Sequence, residues 1–557
     1  MANYSEAHIC QCLSRLSTLR RNSTVTITGD RQKTGMQFVD GVLGLVRGLL
    51  QLGLKTGHVV SISALNSDLY LEWLLAIAYV GGIAAPLNYR WSLEEAKLAM
   101  EVVQPVLLVT DLSPGYWHSE FHIDLVPSLQ WHISMDTPVN ANYTGTDLTT
   151  ELLKKPTGRS VNIDYNWAPE RAAIICFTSG TTGKPKGATI SHLALVIQSL
   201  AKIATVHYNE HDVYLHTVPL CHIGGISSAM AILMAGGCHV IIPKFEAKLA
   251  IESIQKHHVT SFLTVPTIMA DLISFDRMKE TSEQLETVMK ILNGGGSLST
   301  NLIEDATKIF PRAELLSAYG MTEACSSLTF TTLHNPTTDK HYHQLSVAKK
   351  SKFSCPGGVC VGKPAPHIEV RVRVEDYSNA GRILTRGPHV MLRYWDQIPP
   401  KSSDPGWLDT GDMGQIDDYG NLWLIGRAKD RIKSGGENIY PNEVEAILAQ
   451  HPGISGTVVV GIPDPRLTEM VVACIKLKDS WQWSDLSFDH SAKDTANSLS
   501  SEILRNFCRE KNLTGFKIPK KILLWRNTFP TTKTGKLRRD LKIIGCIRIE
   551  VESMVNK

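Results

Sequence analysis

Residues 178–187 read Thr-Ser-Gly-Thr-Thr-Gly-Lys-Pro-Lys-Gly. Four hydroxyls, three glycines and two lysines fall within ten residues, directly behind the apolar run AAIICF at 172–177. A glycine-rich turn lets successive backbone N–H groups converge on one point, and hydroxyls and lysines add donors and positive charge. Such a nest suits phosphate oxygens. The spacing is not that of a Walker A loop, which places four residues between its glycines and a Ser or Thr after its lysine. Here Gly180 and Gly183 are three apart, Pro185 follows Lys184, and Gly187 follows Lys186. The stretch therefore reads as a phosphate loop of another type, with a surface hairpin as the structural alternative.

Other stretches also mix backbone access with reactive groups. Asn293-Gly-Gly-Gly296 follows the apolar 288–292, and three glycines let a flat ligand lie on the backbone. A bare tight turn would look the same. Tyr319-Gly-Met-Thr-Glu323 puts an aromatic ring, a hydroxyl and a carboxylate on one loop. One carboxylate is enough for a hard cation that takes its other oxygens from phosphates and water, although an isolated glutamate is more commonly a solvated surface acid. His222 precedes Gly224-Gly225, which permits close ligand approach; a packed histidine is the alternative. Asp412 follows Thr410-Gly411 with Arg427 fifteen residues on, a spacing that a salt-bridged turn also explains. Lys536 lies in Thr534-Gly-Lys-Leu-Arg538, where position alone suggests a solvated lysine. No G-x-S-x-G elbow, H-E-x-x-H or post-strand G-x-G-x-x-G offers a competing catalytic set.

Taken in order, these stretches resemble the motifs of the adenylate-forming superfamily, which includes acyl-CoA synthetases, peptide-synthetase adenylation domains and firefly luciferase. The matching strings are Ser179-Gly-Thr-Thr-Gly-Lys-Pro-Lys-Gly187, Pro219-Leu-Cys-His-Ile-Gly-Gly225, Asn293-Gly-Gly-Gly-Ser297 and Ser317-Ala-Tyr-Gly-Met-Thr-Glu-Ala324. Trp407-Leu-Asp-Thr-Gly-Asp412, the run 425–441 and Pro530-Thr-Thr-Lys-Thr-Gly-Lys536 complete seven motifs across roughly residues 25–540. The resemblance implies ATP and Mg²⁺ as cofactors, CoA as co-substrate and a carboxylic acid as the group activated. It implies that Thr178, Ser179, Gly180, Thr181, Thr182, Gly183, Lys184 and Lys186 clamp the β- and γ-phosphates. Gly294, Gly295 and Gly296 would back the adenine and the acyl pocket, and Tyr319, beside Gly320, would stack on adenine. Thr322 would contact the α-phosphate, while Glu323 and Thr182 would hold the metal. Asp412 would accept from both ribose hydroxyls beside Arg427, and Lys433, Gly435 and Gly436 would complete the nucleotide contacts. His222 would orient the carboxylate against the α-phosphate. It need not act as a base, because a carboxylate is already ionised at neutral pH. Lys536 would bridge the carboxylate and α-phosphate during adenylation, then give way to the 434–438 segment for thioester formation as the small domain rotates.

Further stretches resemble the plant 2-succinylbenzoate–CoA ligases of phylloquinone synthesis: His8-Ile-Cys-Gln-Cys-Leu13, Ala85-Pro-Leu-Asn-Tyr-Arg-Trp-Ser92, Tyr214-Leu-His-Thr217, 317–330 and Asn512-Leu-Thr-Gly-Phe-Lys-Ile-Pro519. That resemblance implies 2-succinylbenzoate as the acid and a chloroplast or peroxisomal setting. Ser227, Ser228, Ser297, Ser299, Ser326 and Ser327 could meet its second carboxylate and ketone. A coumarate-like, medium-chain or oxalate-type ligase, and a non-catalytic nucleotide-binding relative, stand as alternatives. The tail after Asp540 departs from the pattern and carries no terminal SKL. Oligomeric state is left open between monomer and homodimer.

These residues need elements to hold them. The chain's 557 residues exceed one hydrophobic core, and 43% apolar and 20% charged content is ordinary for a globular protein. A net charge of +3 gives no footprint for nucleic acid. Short β-branched runs (59–63, 106–110, 172–177, 239–242, 261–265) alternate with amphipathic stretches such as 92–102 and 249–257. Strand–helix alternation predicts an α/β fold with mainly parallel sheets. The texture changes near 427, which predicts a large N-terminal domain of layered β-sheets and helices (1–426), a hinge (427–430) and a smaller α+β C-terminal domain (431–557). Eleven cysteines without a C-x-x-C pair predict small buried thiols in a reducing compartment. The apolar run 73–87 is too short to span a bilayer and is broken by Gly81-Gly82 and Pro86, so it predicts a core helix followed by a strand. The first 30 residues lack a secretory h-region. They mildly resemble a transit peptide, although residues 8–19 carry apolar residues at helical spacing that equally fit a first helix of the fold.

Overall fold

The computed structural model describes residues 7–111, 117–136, 148–155, 164–178, 185–278, 284–338, 358–374, 380–397, 406–434, 437–464, 466–484, 497–511, 513 and 515–529. The chain divides into two compact units. The first comprises Met1–Ala348, Gly362–Glu369 and Thr385–Leu408; the second comprises Lys349–Val361, Val370–Leu384 and Asp409–Lys557.

The first unit is built on strands that the β-branched runs predict. In a seven-stranded sheet Val59–Ser63 is flanked by Ile83–Pro86, the central strand, and Leu107–Thr110, with Trp131–Ser134 beyond, all parallel. Ala172–Thr178 joins it in parallel next to Ile83–Pro86, and Lys186–Ser191 turns back antiparallel. A second sheet runs in parallel through Thr24–Thr28, Cys238–Ile241, Val213–His216, Ser261–Thr264, Lys290–Asn293 and Glu314–Met321. Antiparallel Ser326–His334 then pairs with Glu314–Met321.

Helices cover these sheets because their sequences start and stop them locally. Ser92 and Glu95 form a reciprocal capping box that opens helix Leu93–Val103. Helix Asp68–Tyr79 is buried nearly all round, ends before Gly81 at φ +77°, and leads into Ile83–Pro86, as the run 73–87 predicts. One core draws Val25 and Ile241 from one sheet and Val60 and Ile62 from the other, with Phe38, Trp73, Leu195 and Ile226 from four helices. Helix Gln11–Leu19 contributes Leu13 and Leu16 to that core, which decides the reading of residues 8–19 in favour of a fold element. Among the described residues eight cysteines are buried and Cys360 is half-buried. Among the described residues no helix is long and apolar enough to cross a membrane.

The second unit centres on the antiparallel pair Ile454–Asp464 and Thr468–Leu477, with Lys521–Leu524 parallel to the latter. Helices Pro441–Leu448 and Ser501–Glu510 place Val444, Leu448 and Leu504 over Val459 and Ala473. The hairpin of Leu408–Ile416 and Leu422–Arg427 also falls largely in this unit, where Met413 and Ile425 pack with Tyr440.

Candidate active site

In open α/β sheets, ligand sites form outside the carboxyl ends of parallel strands, where side-chain-rich loops emerge. The first unit follows that rule. Ala172–Thr178 ends at the donor-rich loop, Lys290–Asn293 at the triple glycine, and Glu314–Met321 at Thr322-Glu323.

The strand pairing carries further into the loop sequence than its glycines suggest. Thr178 and Lys186 are cross-strand partners, so both belong to strands and close the base of a hairpin. Ser179, Gly180, Thr181, Thr182, Gly183 and Lys184 lie outside the described residues. The Lys186 ammonium sits 5.3 Å from the ring centroid of Tyr394, a cation–π contact. Tyr394 lies on the short strand Arg393–Tyr394, antiparallel to Lys186–Ser191, and its Oη donates to Glu323 Oε1 at 2.8 Å. Burial and then the Glu323 charge raise the Tyr394 phenol above its ordinary value, so it is a secure donor at neutral pH. The Met391 N–H also donates to the Glu323 carbonyl at 2.8 Å. One segment, 391–394, thus ties the base of the phosphate loop to the expected metal ligand. Sequence reading missed Tyr394; the only signal was an aromatic pair, Tyr394-Trp395, one arginine beyond the short apolar run 390–392.

Tight backbone contacts fix the turn bearing Glu323. A Cβ on Gly320 would stand 1.6 Å from the Ser326 carbonyl oxygen, so only glycine fits the crossing beside Tyr319. The chain then passes through Thr322–Ala324, a single 3-10 turn, and into Cys325 (φ +52°) and Ser326 (φ +99°). Two consecutive non-glycine residues in left-handed backbone are a strained arrangement of the kind found at functional sites. Gln198 holds it down, donating to the carbonyls of Ala324 (3.1 Å) and Ser327 (2.6 Å).

His222 occupies the N-cap of helix Ile223–Ala235, whose first-turn N–H groups face outward along a positive dipole end. Gly225 packs so closely that a Cβ would meet the Pro219 carbonyl oxygen at 2.4 Å. Buried Asn66 sets the approach to this loop, accepting from the Leu220 N–H (2.8 Å) and donating to the Val218 carbonyl (3.2 Å). Asn293 plays the same part for the glycine turn, donating to the Gly296 carbonyl (2.7 Å) and Ser317 Oγ (3.2 Å). A Cβ on Gly224 or Gly294 would meet only Leu263, at 3.6 and 3.9 Å, so one leucine underlies both glycine motifs.

Of the serines expected to line the acid pocket, Ser299 instead caps helix Thr300–Ile309 through the Leu302 N–H, because a helix start needs that acceptor. Ser227, Ser228 and Ser326 converge on Lys202, a lysine that sequence reading passed over. Its Nζ donates to their hydroxyls at 2.5, 3.0 and 3.4 Å. Lys202 is 1% exposed, and burial lowers its pKa to about 7.

In the second unit, Asp412 and Arg427 face each other across the hairpin, with Arg427 Nε 2.9 Å from Asp412 Oδ1. Asp412 is buried (4%) and Arg427 is open (42%). Thr410 braces the turn, donating to the Ile383 carbonyl (2.9 Å) and accepting from the Asp412 N–H (3.1 Å). Lys433 lies on strand Ile432–Ser434 opposite Asn438. Gly435, Gly436 and Lys536 lie outside the described residues. Among the described residues no group of three or more His, Cys, Asp or Glu side chains could form a protein-only metal cage. A single carboxylate, Glu323, fits a Mg²⁺ ion that takes its other ligands from phosphate and water.

Residues 17–395 match the AMP-binding enzyme family, and residues 443–536 match the AMP-binding enzyme C-terminal domain. The chain is 55% identical over 551 residues to the 2-succinylbenzoate–CoA ligase, chloroplastic/peroxisomal, of Arabidopsis thaliana, covering 97% of each. It is 28% identical over 540 residues to an indoleacetate–CoA ligase of Aromatoleum aromaticum, covering 96% of this chain and 97% of that one. The solved o-succinylbenzoate CoA synthetase of Bacillus subtilis, in complex with the acyl-adenylate intermediate OSB-AMP, superposes with TM-score 0.74 at 25% identity, covering 96% of this chain and 98% of that one.

Proposed function

We propose, from the premise that the chain belongs to the AMP-binding enzyme family, that it is an ATP-dependent 2-succinylbenzoate–CoA ligase of phylloquinone synthesis. The observation that carries this reading is the 55% identity to the Arabidopsis ligase, spread over 97% of both chains. In the first half-reaction a carboxylate oxygen attacks the α-phosphorus of ATP, forming acyl-adenylate and releasing pyrophosphate. In the second, the CoA thiol attacks the acyl carbon and AMP leaves.

The residues divide between the halves. Lys186, with the loop it closes, neutralises the phosphates that depart as pyrophosphate. Tyr319 stacks on adenine, Thr322 contacts the α-phosphate, and Asp412 with Arg427 fixes the ribose. His222, at the positive end of its helix, orients the attacking carboxylate. Glu323 and Thr182 would hold Mg²⁺, which supplies charge neutralisation on the phosphates. Lys536 bridges carboxylate and α-phosphate as charge builds, and residues 427–430 act as the pivot that later withdraws it. The name of the Arabidopsis relative gives chloroplast and peroxisome as its locations, and the same setting is proposed for this chain. The reaction as written needs one copy of the chain and is compatible with a homodimer.

The test is pyrophosphate release and acyl-CoA formation with a panel of acids, on the wild type and on Lys536→Ala. The wild type releases pyrophosphate with 2-succinylbenzoate and turns over on CoA addition. Lys536→Ala loses adenylation by roughly 10²–10³-fold yet spares thiolation of supplied acyl-adenylate. Activity on 4-coumarate or laurate but not on 2-succinylbenzoate would overturn the substrate, and equal loss of both halves would overturn the pivot.

A further inference from the structure

Lys202 is the most deeply buried cation described in the first unit, and it lies beside the loops that the proposed reaction uses. It sits in the middle of helix His192–Val206. Its three partners come from two different elements: Ser227 and Ser228, in helix Ile223–Ala235, follow His222 by five and six residues, and Ser326, which opens strand Ser326–His334, follows Glu323 by three. All three partners are hydroxyls. Among the described residues no carboxylate lies within ion-pair distance of its Nζ, and its titratable neighbour is the Cys325 thiol, which burial holds at about 12 and therefore neutral. A buried ammonium without a counter-ion is costly, and hydroxyl dipoles offset only part of the lost hydration. A leucine or methionine would pack this helix more cheaply.

The ring of hydroxyls around the ammonium is uneven. Ser227 and Ser228 are fully buried, while Ser326 is half-exposed and makes the longest of the three contacts. An anion that displaced the Ser326 hydroxyl would meet Nζ. The loop that presents Ser326 is strained at Cys325 and Ser326 and is tied by Gln198, one helical turn before Lys202, to the same helix. The ammonium and the turn that bears Ser326 are therefore held by one set of bonds.

We propose that Lys202 receives the carboxylate of the acid that is not activated, and so selects a dicarboxylate over a mono-acid. The inference rests on the ligase reading above. In 2-succinylbenzoate the succinyl carboxylate ends a flexible arm and can reach the α-phosphorus, whereas the ring carboxylate is crowded by its ortho neighbour. The ring carboxylate is thus the group for Lys202, with Ser227 and Ser228 holding the ammonium in place. No covalent change occurs at this position; the ion pair forms on binding and breaks on release.

The experiment compares 2-succinylbenzoate with 4-oxo-4-phenylbutanoate, the same skeleton without the ring carboxylate, in the wild type and in Lys202→Met. Loss of one partner of a buried charge pair corresponds to roughly a 10²–10³-fold loss. Lys202→Met should lose that much kcat/KM on 2-succinylbenzoate, chiefly through KM, and stay within about threefold of the wild type on the mono-acid. Equal losses on both acids overturn the inference, because they mark Lys202 as a brace between helix and loops. A wild type that takes both acids equally well also overturns it and leaves the ligase reading standing. A wild type inactive on 2-succinylbenzoate but active on another acid removes the substrate reading and this inference with it. If Lys202→Met does not fold, Lys202→Arg keeps the charge with altered geometry. It should show a smaller but selective loss on the dicarboxylate, and a non-selective one overturns the inference.

Discussion

Two groups of charge in the first unit are handled in opposite ways. Around helix Asp68–Tyr79, charge is completed by charge. Glu72, fully buried, meets Lys33 Nζ at 2.5 Å and also pairs with Lys154, while Asp68 meets Lys33 at 2.7 Å and Arg31 at 2.5 Å. Burial alone would raise the Asp68 carboxyl, but the Arg31 and Lys33 contacts hold it below its ordinary value. Around the site, charge is met only by hydroxyls. Lys202 has three serines, and Glu323 has the Tyr394 phenol and, among the described residues, no cation within ion-pair distance. A charge closed by its own chain is a structural device. A charge left with dipoles is stable enough to fold around, yet retains most of its capacity to bind an ion of opposite sign. Both hydroxyl-held charges stand where the proposed reaction brings such ions, a carboxylate to Lys202 and a metal to Glu323.

Three measurements would break or sharpen this contrast. The largest effect belongs to the closed group. Glu72→Gln leaves Lys33 and Lys154 facing a neutral amide and should lower unfolding stability by about 3 kcal/mol, read from denaturant midpoints at unchanged slope. A change below about 1 kcal/mol would put Glu72 in the same class as an exposed ion pair. Next is the pH dependence of Lys202. Its folded pKa of about 7 lies below the ordinary 10.5, so between those values the unfolded chain binds more protons than the folded one. Stability contributed by this group therefore rises with pH across that window and is flat below it. Relative to Lys202→Met, the unliganded wild type should gain about 2 kcal/mol from pH 7 to pH 9. A constant difference would mean that the serines solvate the ammonium fully. The smallest effect is Tyr394→Phe, which removes one hydrogen bond from Glu323. Adenylation should fall about fivefold, with recovery at raised Mg²⁺, because the phenol orients the carboxylate and does not itself bind the ion. No change with Mg²⁺ would separate Tyr394 from the metal.

The parts of the molecule written in short range were legible in the sequence. The β-branched runs, the Ser92–Glu95 box and the glycines after Tyr79 set elements within a few residues of themselves, and the structure places strands and helices there. Asp412 and Arg427 were legible as a pair because one hairpin joins them. Lys202 was not, since its serines lie 25, 26 and 124 residues away and its own neighbours, Ala201 and Ile203, read simply as a core helix. Tyr394 contacts Glu323 across 71 residues, and Asn66 reaches the 218–220 loop across more than 150. Positioning residues of this kind are polar, single and remote, so no periodicity announces them. Ser299 misled for the opposite reason: a serine before an apolar run is a helix start before it is a ligand.

The pairing of Thr178 with Lys186 has a consequence for how such enzymes can be altered. The loop leaves and re-enters the sheet on a single rung of one ladder, so the entropy of bringing its ends together is supplied by the strands. Changes to its sequence or length then act on the chemistry and leave the fold in place, provided the register of Ala172–Thr178 against Lys186–Ser191 is kept. Catalytic tempo is thereby uncoupled from folding at that one address.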